Sequence, residues 1–120
     1  MAAYKLVVFS NPVAGREDEY NSWYTGAHLR DVLKIPGFTS AQRLAVNAPD
    51  GAAAPAYRYL ATYEIETDDP QAVLDELGRR AGTDAMPLSE ALDMKVDVSL
   101  YRVIAERAAE PAPDRVAAEA

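Results

Sequence analysis

Four stretches of this chain read as strands, two of them with apolar and polar residues in strict alternation, and two stretches between them read as helices. Tyr4 to Ser10 is rich in β-branched and aromatic residues and ends at Asn11-Pro12-Val13-Ala14-Gly15, a turn-forming run. From Arg16 to Ile35 there is no proline, and Gly26 is the only interior glycine. Glu17, Asp18 and Glu19 fall in the first turn of this predicted helix, where carboxylates complement the helix dipole. Ile35-Pro36-Gly37 stops it, because proline lacks the N–H the ladder needs and disfavours helical geometry at the residue before it. Phe38 to Val46 predicts a second strand. After a loop with Pro49, Asp50, Gly51 and Pro55, a third runs from Tyr57 to Glu66. There Tyr57, Tyr59, Ala61, Tyr63 and Ile65 share one face, and Arg58, Leu60, Thr62, Glu64 and Glu66 the other.

Asp68-Asp69-Pro70 signals a helix start, Val73, Leu74 and Leu77 give that helix its apolar stripe, and Gly82 ends it. Leu88 to Leu92 reads as a single helical turn. Val96, Val98 and Leu100 then alternate with Asp97, Ser99 and Tyr101 in a fourth strand that runs to about Ile104. The order β-α-β-β-α-β predicts an α+β, ferredoxin-like fold, with a four-stranded antiparallel sheet and both helices on one face. The other face of such a sheet needs a cover, and a second copy of the chain, giving a homodimer, is the simplest one. At 120 residues the chain is about one domain. Residues 1–107 are read as that domain and residues 108–120 as an Ala/Glu/Pro-rich tail.

Composition narrows the chemistry. With no cysteine and one histidine, a zinc centre or a Cys-His nucleophile is excluded, and no metal ligand set is expected. A net charge of -7 argues against nucleic acid as a partner. Arg79-Arg80, the only adjacent basic pair, suits a solvated helix end. No segment approaches the ~20 apolar residues of a membrane span, and the apolar run at the N-terminus is too short for a signal peptide. No membrane partner is expected, and the default location is the cytoplasm. Asn11-Pro12-Val13-Ala14-Gly15 lacks the ending of a phosphate loop, and no dinucleotide-binding glycine pattern occurs, so neither phosphoryl nor hydride transfer is supported.

The chemistry-bearing segment is Tyr20 to Phe38. His28 has Tyr24 four residues before it and Asp31 three residues after it, spacings that put all three side by side on a helix. An imidazole titrates near neutral pH, and a neighbouring carboxylate would orient it and favour its protonated form, which suits general acid/base work. Trp23, Tyr20, Tyr59 and Tyr63 are candidate walls for a flat organic substrate, with Arg43 or a tyrosine hydroxyl steadying enolate or phenolate charge. A second reading stands beside this one: His28 as a packing residue bonded to a tyrosine and the backbone, and the aromatic side chains as core or interface.

An acidic first helical turn, the Trp23-Tyr24 pair, His28 four residues after the tyrosine, and Pro36-Gly37 opening the next strand resemble the first half of EthD-like proteins. The landmarks cover residues 4 to 66; the remainder agrees by element order. The resemblance implies a dimeric α+β barrel, related in fold to olivetolic acid cyclase, polyketide cyclases and small cofactor-independent monooxygenases, a fold that hosts many activities. The expectation is a homodimeric, cofactor-free enzyme acting on a small aromatic or carbonyl compound by cyclisation, isomerisation, a lyase step or oxygenation. His28 would be its acid/base, with Tyr24 and Asp31 orienting it. The alternatives are a non-catalytic ligand-binding or stress-associated dimer of the same fold, and a haem-binding monooxygenase with His28 as axial ligand.

Overall fold

The computed structural model describes residues 1–111; the remainder of the tail, from 112, lies outside the described residues. The strands are β1 (Ala2–Ser10), β2 (Phe38–Ala45), β3 (Tyr59–Thr67) and β4 (Asp97–Arg102). The helices are α1 (Glu17–Trp23), α2 (Leu29–Leu33) and α3 (Pro70–Arg80), with a π-helical turn at Tyr24–His28 joining α1 to α2. The sheet order is β2-β3-β1-β4 and every pairing is antiparallel, the ferredoxin-like arrangement.

Because side chains alternate across a strand, register decides which residues meet the helices. Leu6 pairs with Tyr63 on one side and with Leu100 on the other, which brings these three to the helix face together. Leu6, Ala61, Tyr63 and Ile65 from the sheet cluster there with Tyr20, Tyr24, Val32 and Ile35 from the first helical stretch and Val73 from α3. On the opposite face Val7, Phe9, Leu44 and Leu60 come together with Lys5, Thr62 and Glu64, and Leu44 and Tyr101 remain 41% and 59% exposed.

The second helix starts as its sequence dictates. The Asp69 carboxylate accepts a hydrogen bond from the N–H of Ala72 at 3.1 Å, and Pro70 sits where no N–H is needed. Gly37 closes the first helical stretch at φ +105°, and a Cβ there would stand 2.9 Å from Cγ2 of Val73. Glycine thus permits both the turn and the close approach of α3.

The unbroken helix expected from Arg16 to Ile35 is instead interrupted. The N–H of Leu29 bonds to the carbonyl of Tyr24, a five-residue step that widens the turn around Gly26. No helix forms at Leu88–Leu92. There the Ser89 hydroxyl takes the N–H of Ala91 at 3.0 Å, competing with a helical partner, while the carbonyl of Ala91 accepts from the N–H of Val13 at 2.7 Å. The segment is thereby pinned beside the turn that follows β1. Tyr57 falls before β3 begins and its ring meets Phe9, a residue of the opposite face, rather than joining Tyr59. Among the described residues no helix is long and apolar enough to cross a membrane.

Candidate functional site

The π-helical turn decides where the chemistry-bearing side chains go. It carries Tyr24 and His28, and its extra residue per turn alters the angular step between these two that a regular helix would give. His28 stacks on Trp23, ring centroids 4.6 Å apart and planes inclined by 30°, and meets Tyr24 edge-on at 5.0 Å. Trp23 is itself fixed, its indole N–H donating to the carbonyl of Pro87 at 3.1 Å. The aromatic walls are therefore tied to the loop that follows α3.

These rings close one end of a cavity of about 210 Å³ between the helices and the sheet. Leu6, Val8, Val98 and Val96 supply its sheet side, and Met86, Leu88 and Met94 its loop side, with Met94 72% exposed at the mouth. The volume corresponds to about seven liquid water molecules, at ~30 Å³ each. Among the described residues, no group of three or more His, Cys, Asp and Glu side chains is placed to hold a metal ion.

The polar lining is sparse: Ser10, Tyr24, Tyr63 and His28, with Trp23 already committed to Pro87. Ser10, fully buried, shares a hydrogen bond of 2.6 Å with the Tyr20 hydroxyl. Nδ1 of His28 and the Tyr63 hydroxyl are buried and make no hydrogen bond of ordinary geometry. Desolvation lowers the His28 pKa to about 4, outweighing the attraction of the Asp31 charge, so the imidazole is neutral at pH 7. Burial pushes the phenols of Tyr24 and Tyr63 up, and Tyr24 adds to the shift at Tyr63.

The structure brings some expected site residues to the cavity and sets others apart. His28, Tyr24, Trp23 and Tyr63 line it. Asp31 is buried outside it, 3.8 Å from the Lys34 ammonium, and forms no hydrogen bond with His28. The three residues thus meet through ring packing and charge, not as a hydrogen-bonded unit. Tyr20, Arg43 and Tyr59 form an adjoining cluster behind Tyr24. The Arg43 guanidinium carbon lies 4.5, 5.2 and 5.3 Å from the ring centroids of Tyr24, Tyr20 and Tyr59, and two of its nitrogens donate to Thr25 and Asn21, each at 3.0 Å. The Tyr59 hydroxyl donates to Glu17, which also pairs with Arg58 at 2.8 Å; those two contacts hold the Glu17 carboxyl below its usual range.

Sequence reasoning missed the loop side of the cavity. Met86, Leu88 and Met94 stand in a segment with no periodicity, and only the density of large apolar residues on both sides of Pro87 hinted that something there is covered.

Three solved structures resemble this one. A protein of Shewanella loihica PV-4 to which monooxygenase activity is ascribed has 22% identity and a TM-score of 0.56, over 88% of this chain and 97% of its own. An EthD family protein of Bacillus halodurans C-125 has 13% identity and a TM-score of 0.46, over 83% and 96%. An EthD-like protein of Ralstonia eutropha JMP134 has 16% identity and a TM-score of 0.46, over 89% and 96%. No family model matches the chain, and no curated protein matches its sequence. The likeness is one of architecture: this chain has a small ferredoxin-like α+β fold, laid out along most of its length as in the Shewanella protein.

Proposed function

We propose that this protein is a cofactor-independent enzyme that binds a small aromatic or carbonyl compound in the cavity beneath the π-helical turn and moves a proton on it through His28. The observation that carries the reading is a neutral imidazole facing an apolar cavity with its Nδ1 buried and unpartnered. An imidazole that is unprotonated at pH 7 is free to accept a proton, while the burial that keeps it neutral makes it a weaker base than a free histidine, so it suits an activated proton such as one flanked by two carbonyl groups. Cyclisation, isomerisation, a lyase step and cofactor-free oxygenation all begin with that event. Asp31 contributes charge at a distance, favouring the imidazolium that proton abstraction creates. The reading also agrees with the monooxygenase activity ascribed to the Shewanella protein.

The test uses His28 as its own probe, because it is the only histidine. Its ring resonances are followed by NMR against a panel of small aromatic and β-keto compounds, and compounds that shift them are assayed for turnover by the native protein and by His28→Gln. Turnover lost in the variant supports the reading. Binding without turnover in either protein would instead establish a ligand-binding protein in which His28 packs.

The functional unit proposed is a homodimer of the domain at residues 1–107, joined through the sheet face that carries Val7, Phe9, Leu44, Leu60 and Tyr101. An apolar patch open to water on the face away from the helices supports this. Light scattering at micromolar concentration should give twice the 13.0 kDa chain mass, and a monomer would overturn it.

A further inference from the structure

Four side chains that line the cavity also reach the surface: Met94 is 72% exposed and Val98 52%, with Val96 and Leu88 open beside them. β4 is an edge strand, paired only with β1, so no further strand shields Val98, which lies across from Val8 on the helix face. The cavity therefore opens through an apolar lip, and no Asp, Glu, Lys or Arg side chain lines it. Apolar surface left in water at the rim of a cavity marks a place where something binds. Position and size rule out two covers. The described chain after β4 leaves from the far end of that strand, where the N–H of Val103 bonds to the carbonyl of Ala3. A second copy is proposed for the opposite face of the sheet, and four partly exposed side chains fall short of the about 800 Å² a side that a stable protein interface buries.

We infer that the ligand carries an unbranched aliphatic chain, which leaves the cavity over Leu88, Met94, Val96 and Val98 while its aromatic or carbonyl head sits by His28. The inference rests on the reading of this cavity as the ligand site and names the substrate class for it. A space of about seven water volumes is filled by a head of about seven non-hydrogen atoms, so a longer molecule has to pass the lip. Val96 and Val98, two residues apart, give the chain a track of ~7 Å along the sheet edge. The flexible, polarisable side chain of Met94 adapts to the chain as it lies there. A fully buried methylene raises affinity about fourfold, and one pressed on an open apolar surface, with half its area covered, about twofold.

Straight-chain acetoacetate esters supply the test: the methyl ester, and homologues lengthened by two, four and six methylenes. Binding is read from NMR shifts of His28, the single histidine, and of the indole N–H of Trp23, the single tryptophan. From the two- to the six-methylene homologue the affinity is expected to rise about fifteenfold, and NOEs from the end of the chain should reach the methyl groups of Met94 and Val98. Met94→Gln combined with Val98→Thr keeps the shape of both exposed side chains and should cut that rise to below about fourfold. Ile104→Thr, which removes apolar surface from an exposed residue outside the cavity lining, should leave the rise unaltered. A rise that stops at the two-methylene homologue, one that survives in the double variant, or an equal loss in Ile104→Thr would overturn the chain and leave the cavity reading standing. Silence of His28 and Trp23 toward every ester would overturn the cavity reading and this inference with it.

Discussion

The imidazole of His28 lies flat against the indole of Trp23, 4.6 Å between ring centroids. That contact removes water from one side of the histidine, and the edge of Tyr24 removes it from another. The stacked pair explains why desolvation governs this histidine despite the carboxylate of Asp31 one helical turn away.

The first prediction follows from that burial. In the unfolded chain His28 titrates near its ordinary value of ~6.5, whereas in the folded protein it does so at about 4. Between these values the unfolded state binds more protons, so stability rises with pH across that window. His28 therefore contributes stability that is full above pH ~6.5 and is lost as pH falls toward 4, roughly 3 kcal/mol in all. Urea denaturation at pH steps from 7 to 4 should show a steeper decline for the native protein than for His28→Gln. Parallel declines would mean that the folded imidazole is as easily protonated as the unfolded one.

Arg43 gives a second. Its planar guanidinium packs near three tyrosine rings and bridges Thr25 to Asn21. Arg43→Met would keep the aliphatic stem and remove both the ring interaction and the bridge, at a cost of about 1–3 kcal/mol. Arg43→Lys should recover less than half of that, because an ammonium cannot stack or reach both acceptors in one plane. Full rescue by lysine in a chemical denaturation series would show that charge alone matters there.

The third concerns Gly37. Alanine at φ +105° is strained, and its Cβ would press on Val73. Gly37→Ala should destabilise by about 2–3 kcal/mol, and pairing it with Val73→Ala should return only the steric part. Thermal or urea unfolding of both single variants and the double variant measures the two contributions. Complete relief in the double variant would mean that the backbone carries no strain.

Legibility in the sequence divided along physical lines. The strands and α3 were readable because local signals agreed with the packing: period-two alternation through Tyr59 to Ile65, and an Asp69-Pro70 start whose cap forms as expected. The π-helical turn at Tyr24–His28 was not, since a single inserted residue leaves the apolar spacing of the helix nearly unchanged. That one step changes how Tyr24 and His28 sit relative to each other, which the regular i, i+4 spacing did not show. Leu88 to Leu92 has helical composition, yet Ser89 and the backbone around Asn11 to Val13 offer its N–H and C=O groups other partners. The division of the aromatic residues into cavity walls and an arginine cluster depends on long-range register, the pairing of Leu6 with Tyr63 above all, and no local pattern encodes it.

The two buried tyrosines provide the last prediction, because they carry the same hydroxyl in opposite circumstances. The hydroxyl of Tyr20 is bonded to Ser10 at 2.6 Å, with both residues fully buried. Tyr20→Phe would strand the serine hydroxyl in the core, at a cost of about 1–3 kcal/mol. The hydroxyl of Tyr63 makes no hydrogen bond of ordinary geometry and meets only the hydroxyl of Tyr24, so Tyr63→Phe should stay within about 1 kcal/mol of the native protein. Chemical denaturation of the two variants under one set of conditions should therefore give changes of different sign or very different size. Equal losses at both positions would show that the contact between the Tyr63 and Tyr24 hydroxyls is worth a full hydrogen bond.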